Sequence, residues 1–116
     1  MSQYALLIYV PAEGGPPPDQ TELQRWFDYT EALREAGALV DSAPLEMTDS
    51  ATTVRVRDGE TLITEGPFAE TKEVLGGYYV VDVPDLEAAQ GWAARIPSAP
   101  SGSVEVRPIM ELPEAG

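Results

Sequence analysis

The sequence predicts an α+β fold in which two helices pack on one face of a mostly antiparallel sheet. Two apolar runs, residues 4–10 and 78–83, have the length and the β-branched and aromatic content of buried strands. Each run is followed by an amphipathic helical pattern and then by a further strand. This repeated order is the split βαβ arrangement, interrupted here by a predicted β-hairpin.

Length and charge limit the classes of function. A chain of 116 residues with 43% hydrophobic residues is long enough for one core and too short for two, so we expect a single domain over residues 1–116. Seven Lys and Arg stand against 20 Asp and Glu, a formal net charge of −13. This charge repels phosphate backbones and anionic lipid, so neither direct nucleic-acid binding nor membrane binding is expected.

The sequence contains no cysteine and no histidine. Disulfides, thiolate zinc sites, Ser-His-Asp triads and imidazole-bound metals are therefore excluded. The acidic residues lack the spacing of known metal loops, and the glycine-rich pieces do not match phosphate-binding loops, so no metal and no cofactor is expected. Without a signal peptide or a long apolar stretch, the expected location is the cytoplasm.

The first half of the chain predicts a strand, a loop and a helix. Residues 4–10 are expected to form a central strand that is buried on both faces. Residues 11–20 form a proline-rich loop, after which Thr21 and Gln24 predict a capping box, and Gly37 predicts the helix end. The predicted core-facing residues of this helix are Leu23, Trp26, Phe27, Thr30, Leu33 and Ala36. Trp26 and Phe27 are interpreted as core anchors rather than as ligand-stacking residues.

The second half predicts a hairpin, a strand, a helix and a last strand. Alternation in residues 52–57 and 61–64 around Asp58-Gly59 predicts the hairpin. Its Arg55 and Arg57 share one face, which is either a solvated ion-pair face or a binding surface. Asp85 is the predicted cap of a helix that ends before Pro97, residues 104–109 form the last strand, and residues 113–116 are expected to fray.

These elements together predict a ferredoxin-like fold with an inserted β-hairpin. Because both helices cover the same face of the sheet, the other face needs a different cover. In so short a chain the simplest cover is a second copy. We therefore expect a homodimer that pairs sheet to sheet, with a cleft between the sheet and the inserted hairpin.

Residues 65–73 contain the densest group of candidate catalytic side chains. Glu65, Glu70 and Glu73 supply three carboxylates that, in an apolar cleft, would provide an acid and a base without histidine. Lys72 is the candidate partner that keeps one carboxylate ionised, and Phe68 is expected to plug the core or to contact a ligand. The alternative is a solvated, charge-balanced loop anchored by Phe68.

Three further residues are candidate ligand contacts. Glu105 and Arg107 are two apart on a predicted strand and so share one face. They either bind a small polar ligand, with Arg107 as a fork for a carboxylate, or form an ion pair at the rim of an interface. Tyr78 is either a core residue with a satisfied hydroxyl or a proton donor.

Residues 64–79 read Thr-Glu-Gly-Pro-Phe-Ala-Glu-Thr-Lys-Glu-Val-Leu-Gly-Gly-Tyr-Tyr. This segment resembles the signature of the DGPF branch of the YCII-related family. The likeness extends from the hairpin at residues 52–59, through the Asp-Val-Pro-Asp-Leu-Glu-Ala-Ala segment at 82–89, to residues 102–108, and so covers most of the chain. Glu65 stands where the branch has its namesake aspartate, which keeps the charge and lengthens the side chain.

The resemblance implies a dimeric α+β barrel, related to muconolactone isomerase-like proteins, with a site in a cleft of each subunit. A His-Asp pair suggested as the catalytic centre of the wider family has no counterpart in a chain without histidine. Relatives of the branch look like companions of extracytoplasmic-function sigma factors. Three functions stay open: a dimeric small-molecule-binding or regulatory module, a histidine-independent isomerase or lyase that uses carboxylates, and a pure protein-interaction scaffold.

Overall fold

The computed structural model describes residues 1–113, so residues 114–116 of the tail that was expected to fray lie outside the described residues. The chain forms β1 (Ser2–Pro11), α1 (Gln20–Glu35), β2 (Leu39–Pro44), β3 (Thr52–Arg57), β4 (Glu60–Glu65), β5 (Glu73–Val83), α2 (Leu86–Ala94) and β6 (Ser103–Pro108), with a 3-10 turn at Thr48–Ser50. Neither α1 nor α2 has the length and apolar character needed to cross a bilayer.

The main sheet has four antiparallel strands in the order β2, β5, β1, β6. Helix α1 connects β1 to β2, and β5 lies between these two strands. Helix α2 connects β5 to β6, and β1 lies between them. Each βαβ unit is therefore split by an antiparallel strand, which confirms the ferredoxin-like arrangement and the central place of β1.

The core lies between the two helices and one face of the sheet. Its buried residues are Tyr4, Leu6, Ile8, Tyr29, Leu33, Ala38, Tyr79, Val81, Val83, Ala89, Ala93 and Ile96. Alternate residues of β1 and β5 contribute to it, because successive side chains of a strand point to opposite faces. The core is apolar throughout, and none of the described polar or charged residues is buried in it.

The opposite face of the sheet is left uncovered by the helices. Ala5 and Leu7 of β1 and Val80 of β5 lie on it and are half-buried. The prediction that β1 is buried on both faces therefore holds for one face only in a single chain. Strands β1 and β5 thus keep an apolar strip, formed by Ala5, Leu7 and Val80, partly exposed to solvent.

Helix α1 starts from a different cap than the sequence pattern predicts. The carboxylate of Asp19, in extended backbone, accepts a hydrogen bond of 2.9 Å from the amide of Glu22. The Thr21 and Gln24 capping box is therefore wrong, and Gln24 instead donates to Asp28 at 2.8 Å. The predicted helix end is confirmed, since Gly37 adopts a φ of 71° directly after the last turn.

The buried aromatic residue of α1 is Tyr29, and the prediction that Phe27 anchors the core is wrong. Tyr29 is 5% exposed, whereas Phe27 is 64% exposed. The hydroxyl of Tyr29 donates to the carbonyl of Trp92 at 2.8 Å, and its ring meets that of Tyr79 edge-on. At about 100° per residue, Phe27 lies about 200° around the helix from Tyr29. Trp26 does pack against the core.

The predicted hairpin is confirmed as β3 and β4, joined by Asp58 and Gly59 with φ values of 51° and 78°. It forms a separate two-stranded sheet, and neither strand packs substantially against another described helix or strand. The molecule is flat, with extents of 49 × 46 × 18 Å. The hairpin is thus an appendage of the four-stranded sheet.

Several element boundaries differ from their predicted positions by a few residues. Strand β5 begins at Glu73 and so runs through the Gly-Gly pair that precedes residues 78–83. Strand β1 continues to Pro11, which shortens the proline-rich loop. Asp85 caps α2 as predicted, accepting from the amide of Ala88 at 2.9 Å, although the helix ends at Ala94.

Candidate functional site

A groove of about 630 Å³ lies between α1 and the β2–β5 edge of the sheet. Its helix side includes Leu23, Trp26, Phe27 and Thr30, and its sheet side includes Ser42, Ala43, Gly76, Gly77 and Tyr79. Leu23 and Phe27 are 41% and 64% exposed, although both are apolar. The groove therefore presents unpaired apolar surface, which is typical of a ligand site.

The groove exists because of two local features. Helix α1 contacts the core mainly through Tyr29 and Leu33, so Leu23 and Phe27, one turn apart, face the groove and not the core. On the sheet side, Gly77 lies opposite Ile8 of β1 and Pro44 of β2 and carries no side chain to fill the floor. A Cβ at Gly77 would lie 3.0 Å from the carbonyl oxygen of Ala43.

Two lining residues, Thr30 and Tyr79, form a hydrogen bond whose donor can be identified. The hydroxyl of Thr30 donates to the carbonyl of Trp26 at 2.9 Å, and its oxygen lies 2.7 Å from the hydroxyl oxygen of Tyr79. Because Thr30 has a single hydroxyl proton, Tyr79 must be the donor in the second bond. The hydroxyl oxygen of Tyr79 then has acceptor capacity left, so the groove favours a ligand group that donates a hydrogen bond.

The predicted residues Glu73, Glu105 and Arg107 share the uncovered face of the sheet. Arg107 and Glu105 form an ion pair of 3.2 Å, and Tyr9 is 3.5 Å from the same carboxylate. Glu73 accepts from the hydroxyl of Ser103 at 3.0 Å. In residues 1–113, no three His, Cys, Asp or Glu side chains are grouped so that they hold a metal ion.

The rest of the predicted catalytic segment is an exposed loop. Glu65 ends β4, while Glu70 and Lys72 lie on the connection to β5, and all three are exposed. Within the described chain, their side chains form no hydrogen bond or ion pair with one another. The prediction that Phe68 plugs the core is wrong, because its side chain is 79% exposed.

The bend that holds Phe68 outside the core is ordered by its own backbone. Gly66 adopts a φ of 96°, donates to the carbonyl of Ala51 at 2.7 Å and accepts from the hydroxyl of Thr53 at 2.8 Å. The carbonyl of Phe68 accepts from Arg55 at 3.4 Å. The loop is therefore tied to the hairpin and not to the groove.

Tyr78 neighbours the groove through its position in β5, and its hydroxyl donates to the carboxylate of Asp41 at 3.3 Å. The negative charge of Asp41 raises the pKa of Tyr78 above its ordinary value, because ionisation would place two anions side by side. The hydroxyl is thus held neutral and hydrogen-bonded. Tyr78 borders the groove, but its side chain lies on the uncovered face of the sheet beside Leu7, the face that also carries Glu73, Glu105 and Arg107.

We predict that Tyr78 ionises later than an ordinary tyrosine in an alkaline titration followed by tyrosinate absorbance, with Tyr78→Phe identifying its component. Asp41→Asn should shift that component to lower pH. Because Asp41 raises the pKa of Tyr78 in the folded protein, their hydrogen bond stabilises the fold fully below pH 10.0, the ordinary pKa of tyrosine. This stabilisation is lost as the pH rises through the pKa of Tyr78 in the folded protein. An unchanged midpoint in Asp41→Asn would refute the pairing.

The groove residues Phe27, Thr30, Gly77 and Tyr79 are absent from the sequence-predicted site. Two features of the sequence bear on Phe27 and Gly77. At about 100° per residue, Phe27 lies about 120° around the helix from Leu33, off the buried face, although the spacing pattern grouped the two residues together. A Gly-Gly pair inside a strand, such as Gly76-Gly77, often marks a place where a ligand or another backbone approaches the strand closely.

Comparison with known proteins assigns the chain to a family. The YCII-related domain matches residues 2–113. An uncharacterized protein of Rhizobium meliloti (strain 1021) is 48% identical over 77 residues, which are 65% of this chain and 62% of that relative. The chain thus matches less than two thirds of the relative's length. With nearly its whole length matched by the family, the chain belongs to the YCII-related domain family.

Proposed function

We propose that this protein is a homodimeric small-molecule-binding module, and that the groove between α1 and the β2–β5 edge is its ligand site. The observation that carries this proposal is an apolar groove of about 630 Å³ with an exposed phenylalanine on its wall. Volumes of this size are typical of sites for small organic ligands. Exposed aromatic rings on an ordered helix supply stacking surface at little entropic cost.

The lining also limits the chemistry of the ligand. The groove is mostly apolar, Tyr79 supplies an acceptor oxygen to it, and the one cationic side chain that lines it within residues 1–113, Arg34, is paired with Glu31. The whole chain carries a net charge of −13. Anionic ligands are repelled by that charge. We therefore propose a planar, neutral or cationic ligand that carries an N–H or O–H donor.

The proposed dimer uses the uncovered face of the main sheet. The half-buried strip formed by Ala5, Leu7 and Val80 supports this choice, because the sheet otherwise leaves apolar surface in water. The DGPF-like segment at residues 64–79 supports membership of the DGPF branch. In that setting, the module would act in regulation beside an extracytoplasmic-function sigma factor.

A second candidate function is a carboxylate-based isomerase or lyase. It is favoured by Glu73, Glu105 and Arg107 sharing one sheet face, where Arg107 would orient an anionic substrate and Glu73 would move a proton. Glu65 and Glu70 would have to reach this face from their exposed loop. A turnover that Glu73→Gln abolishes in a folded protein is the result that would favour this candidate, whereas undiminished turnover would remove Glu73 as the base.

Indole is a suitable probe for the groove, since it is planar, neutral and carries one N–H donor. We expect indole to perturb amide resonances of α1 and of Gly76 and Gly77 in an NMR titration. Phe27→Ala should weaken this binding several-fold, because the ring supplies contact surface. Phe68→Ala is the matched control, because Phe68 is exposed as well and lies outside the groove.

The hydrogen-bond acceptor is tested with benzofuran, which has the shape of indole without the donor. Wild type should prefer indole over benzofuran by about 2- to 10-fold, the effect of one hydrogen bond. Tyr79→Phe should remove that preference. Resonance changes spread over the whole surface, or equal weakening by Phe27→Ala and Phe68→Ala, would contradict the proposed site.

A further inference from the structure

The helix side of the groove runs from an apolar end to a charged end. Leu23 and Phe27 line it in the first half of α1, and Glu31 and Arg34 line it one to two turns further on. Successive members of this set are three or four residues apart, so they form one stripe of the helix. Within residues 1–113, Glu31 and Arg34 are the charged side chains of the lining. A ligand that lies along the stripe therefore contacts an aromatic ring and then a charged group.

The carboxylate of Glu31 has room for a further hydrogen-bond donor. Its Oε2 accepts from the guanidinium of Arg34, whereas its Oε1 has no donor among the described residues. A carboxylate accepts about four hydrogen bonds in all. The side chains of Glu31 and Arg34 are 54% and 60% exposed, and an ion pair this exposed contributes little stability. A ligand can therefore share or replace this pair at little cost.

The charge of the chain decides which member of the pair a ligand meets. A cationic ligand would bind Glu31, and an anionic ligand would bind Arg34. Helix α1 contains four acidic residues and two basic ones, and the whole chain has a net charge of −13. This field attracts cations and repels anions. The other polar contact of the groove, the hydroxyl oxygen of Tyr79, also receives a donor, so both contacts favour a ligand that donates hydrogen bonds.

We propose that the groove selects aromatic amines, with the ring of the ligand against Leu23 and Phe27 and its ammonium group on Glu31. Four residues of an α-helix rise about 6 Å, so this distance separates Phe27 from Glu31 along the axis. A two-carbon arm between a ring and a nitrogen spans it. The ammonium donates a charge-assisted hydrogen bond to the free Oε1 of Glu31. This inference rests on the proposed function of the groove and adds the charged group of the ligand and the residue that selects it.

Three probes that share one ring system test this selection: neutral indole, cationic tryptamine and anionic indole-3-propionate. Each is titrated into the full chain at neutral pH, and the amide resonances of α1 and of Gly76 and Gly77 are followed by NMR. We expect tryptamine to bind about 3- to 10-fold more tightly than indole, the effect of a partly exposed charge-assisted hydrogen bond. Indole-3-propionate should bind more weakly than indole, because the field of the chain repels it.

Glu31→Gln and Glu35→Gln are a matched pair of variants. Both remove one negative charge from the last turns of α1, and both residues are exposed, but Glu35 lies outside the groove lining. The preference for tryptamine over indole should fall below about 2-fold in Glu31→Gln and persist in Glu35→Gln. Because the preference is a ratio within one protein, it cancels any effect of the substitution on the groove as a whole.

The possible outcomes separate this inference from the proposed function. Indole bound in the groove without a preference for tryptamine, or an equal fall of the preference in both variants, would overturn selection by Glu31 and leave the ligand site in place. Tighter binding of indole-3-propionate than of indole would overturn the selection as well, because Arg34 would then receive the ligand. Failure of all three probes to perturb the resonances of α1 would overturn both the selection and the site.

Discussion

Replacing Gly102 by alanine is expected to lower the free energy of unfolding by about 3 kcal/mol, the upper part of the range for overpacking. A Cβ at this position would lie 2.3 Å from the carbonyl oxygen of Tyr9 and 3.6 Å from that of Ser98. Both neighbours are backbone atoms, so relief requires β6 to move away from β1. Urea unfolding followed by circular dichroism, at one protein concentration, measures the loss.

Gly91→Ala is the matched control for Gly102→Ala. Gly91 lies inside α2, and a Cβ there would meet no atom within 4 Å. Alanine in a helix interior is more favourable than glycine by about 0.5–1 kcal/mol, so this variant should be more stable than wild type. Two glycine-to-alanine changes of opposite sign would separate close packing from chain entropy. A Gly102→Ala protein as stable as wild type would contradict the observed contact between β1 and β6.

Replacing Leu33 by alanine is expected to cost about 2–5 kcal/mol of unfolding free energy, the usual range for a leucine removed from a packed core. Leu33 is fully buried, with 0% exposure, and lies where α1 meets the sheet. The cavity left behind is bordered by strand and helix atoms that have little freedom to close it. Thermal and urea unfolding should both report the loss.

Leu23→Ala on the same helix is the control for Leu33→Ala. Leu23 is 41% exposed and lines the groove, so its truncation should cost less than about 1 kcal/mol. The same variant should weaken indole binding, because it removes part of the groove wall. Equal losses of stability in the two variants would show that α1 does not face the sheet through Leu33.

Much of the fold followed from local patterns that need no long-range information. Asp58-Gly59 favours a two-residue turn with positive φ, and the structure contains that turn. Asp85 and Gly37 act where helix-terminus chemistry predicts them to act. The split βαβ order followed because each apolar run alternates with an amphipathic one, and the sheet order β2, β5, β1, β6 agrees with it.

The choice of the helix face was harder, because α1 offers two apolar stripes. Leu23 and Phe27 form one, while Tyr29 and Leu33 form the other. Hydrophobicity alone favours phenylalanine over tyrosine in a core. Tyr29 is buried instead because its hydroxyl donates a hydrogen bond to the carbonyl of Trp92, which removes the penalty for burying an unpaired hydroxyl. This acceptor is 63 residues away in the chain, so no local pattern contains it.

The site was least predictable for the same reason. The groove combines the solvent side of α1 with Gly77 of β5, and their approach is set by the packing of Tyr29 and Leu33. The acidic segment at residues 65–73 was predicted as a site because its charges are visible in the sequence. Its Phe68 lies outside the core because Gly66 turns the chain back onto the hairpin.

Both the uncovered sheet face and the hairpin leave apolar side chains in contact with water. Leu7 and Val80 of the sheet are half-buried, and Val54 and Ile63 of the hairpin are exposed to solvent. Apolar surface of this extent on ordered strands costs free energy in water unless another surface covers it. The proposed homodimer would remove both exposures in one step.

The molar mass of the wild-type protein at micromolar concentration tests that claim most directly. Sedimentation equilibrium should give twice the 12.5 kDa mass of one chain, with dissociation only on strong dilution. A compact, folded species with the mass of a single chain over the whole concentration range would contradict the account.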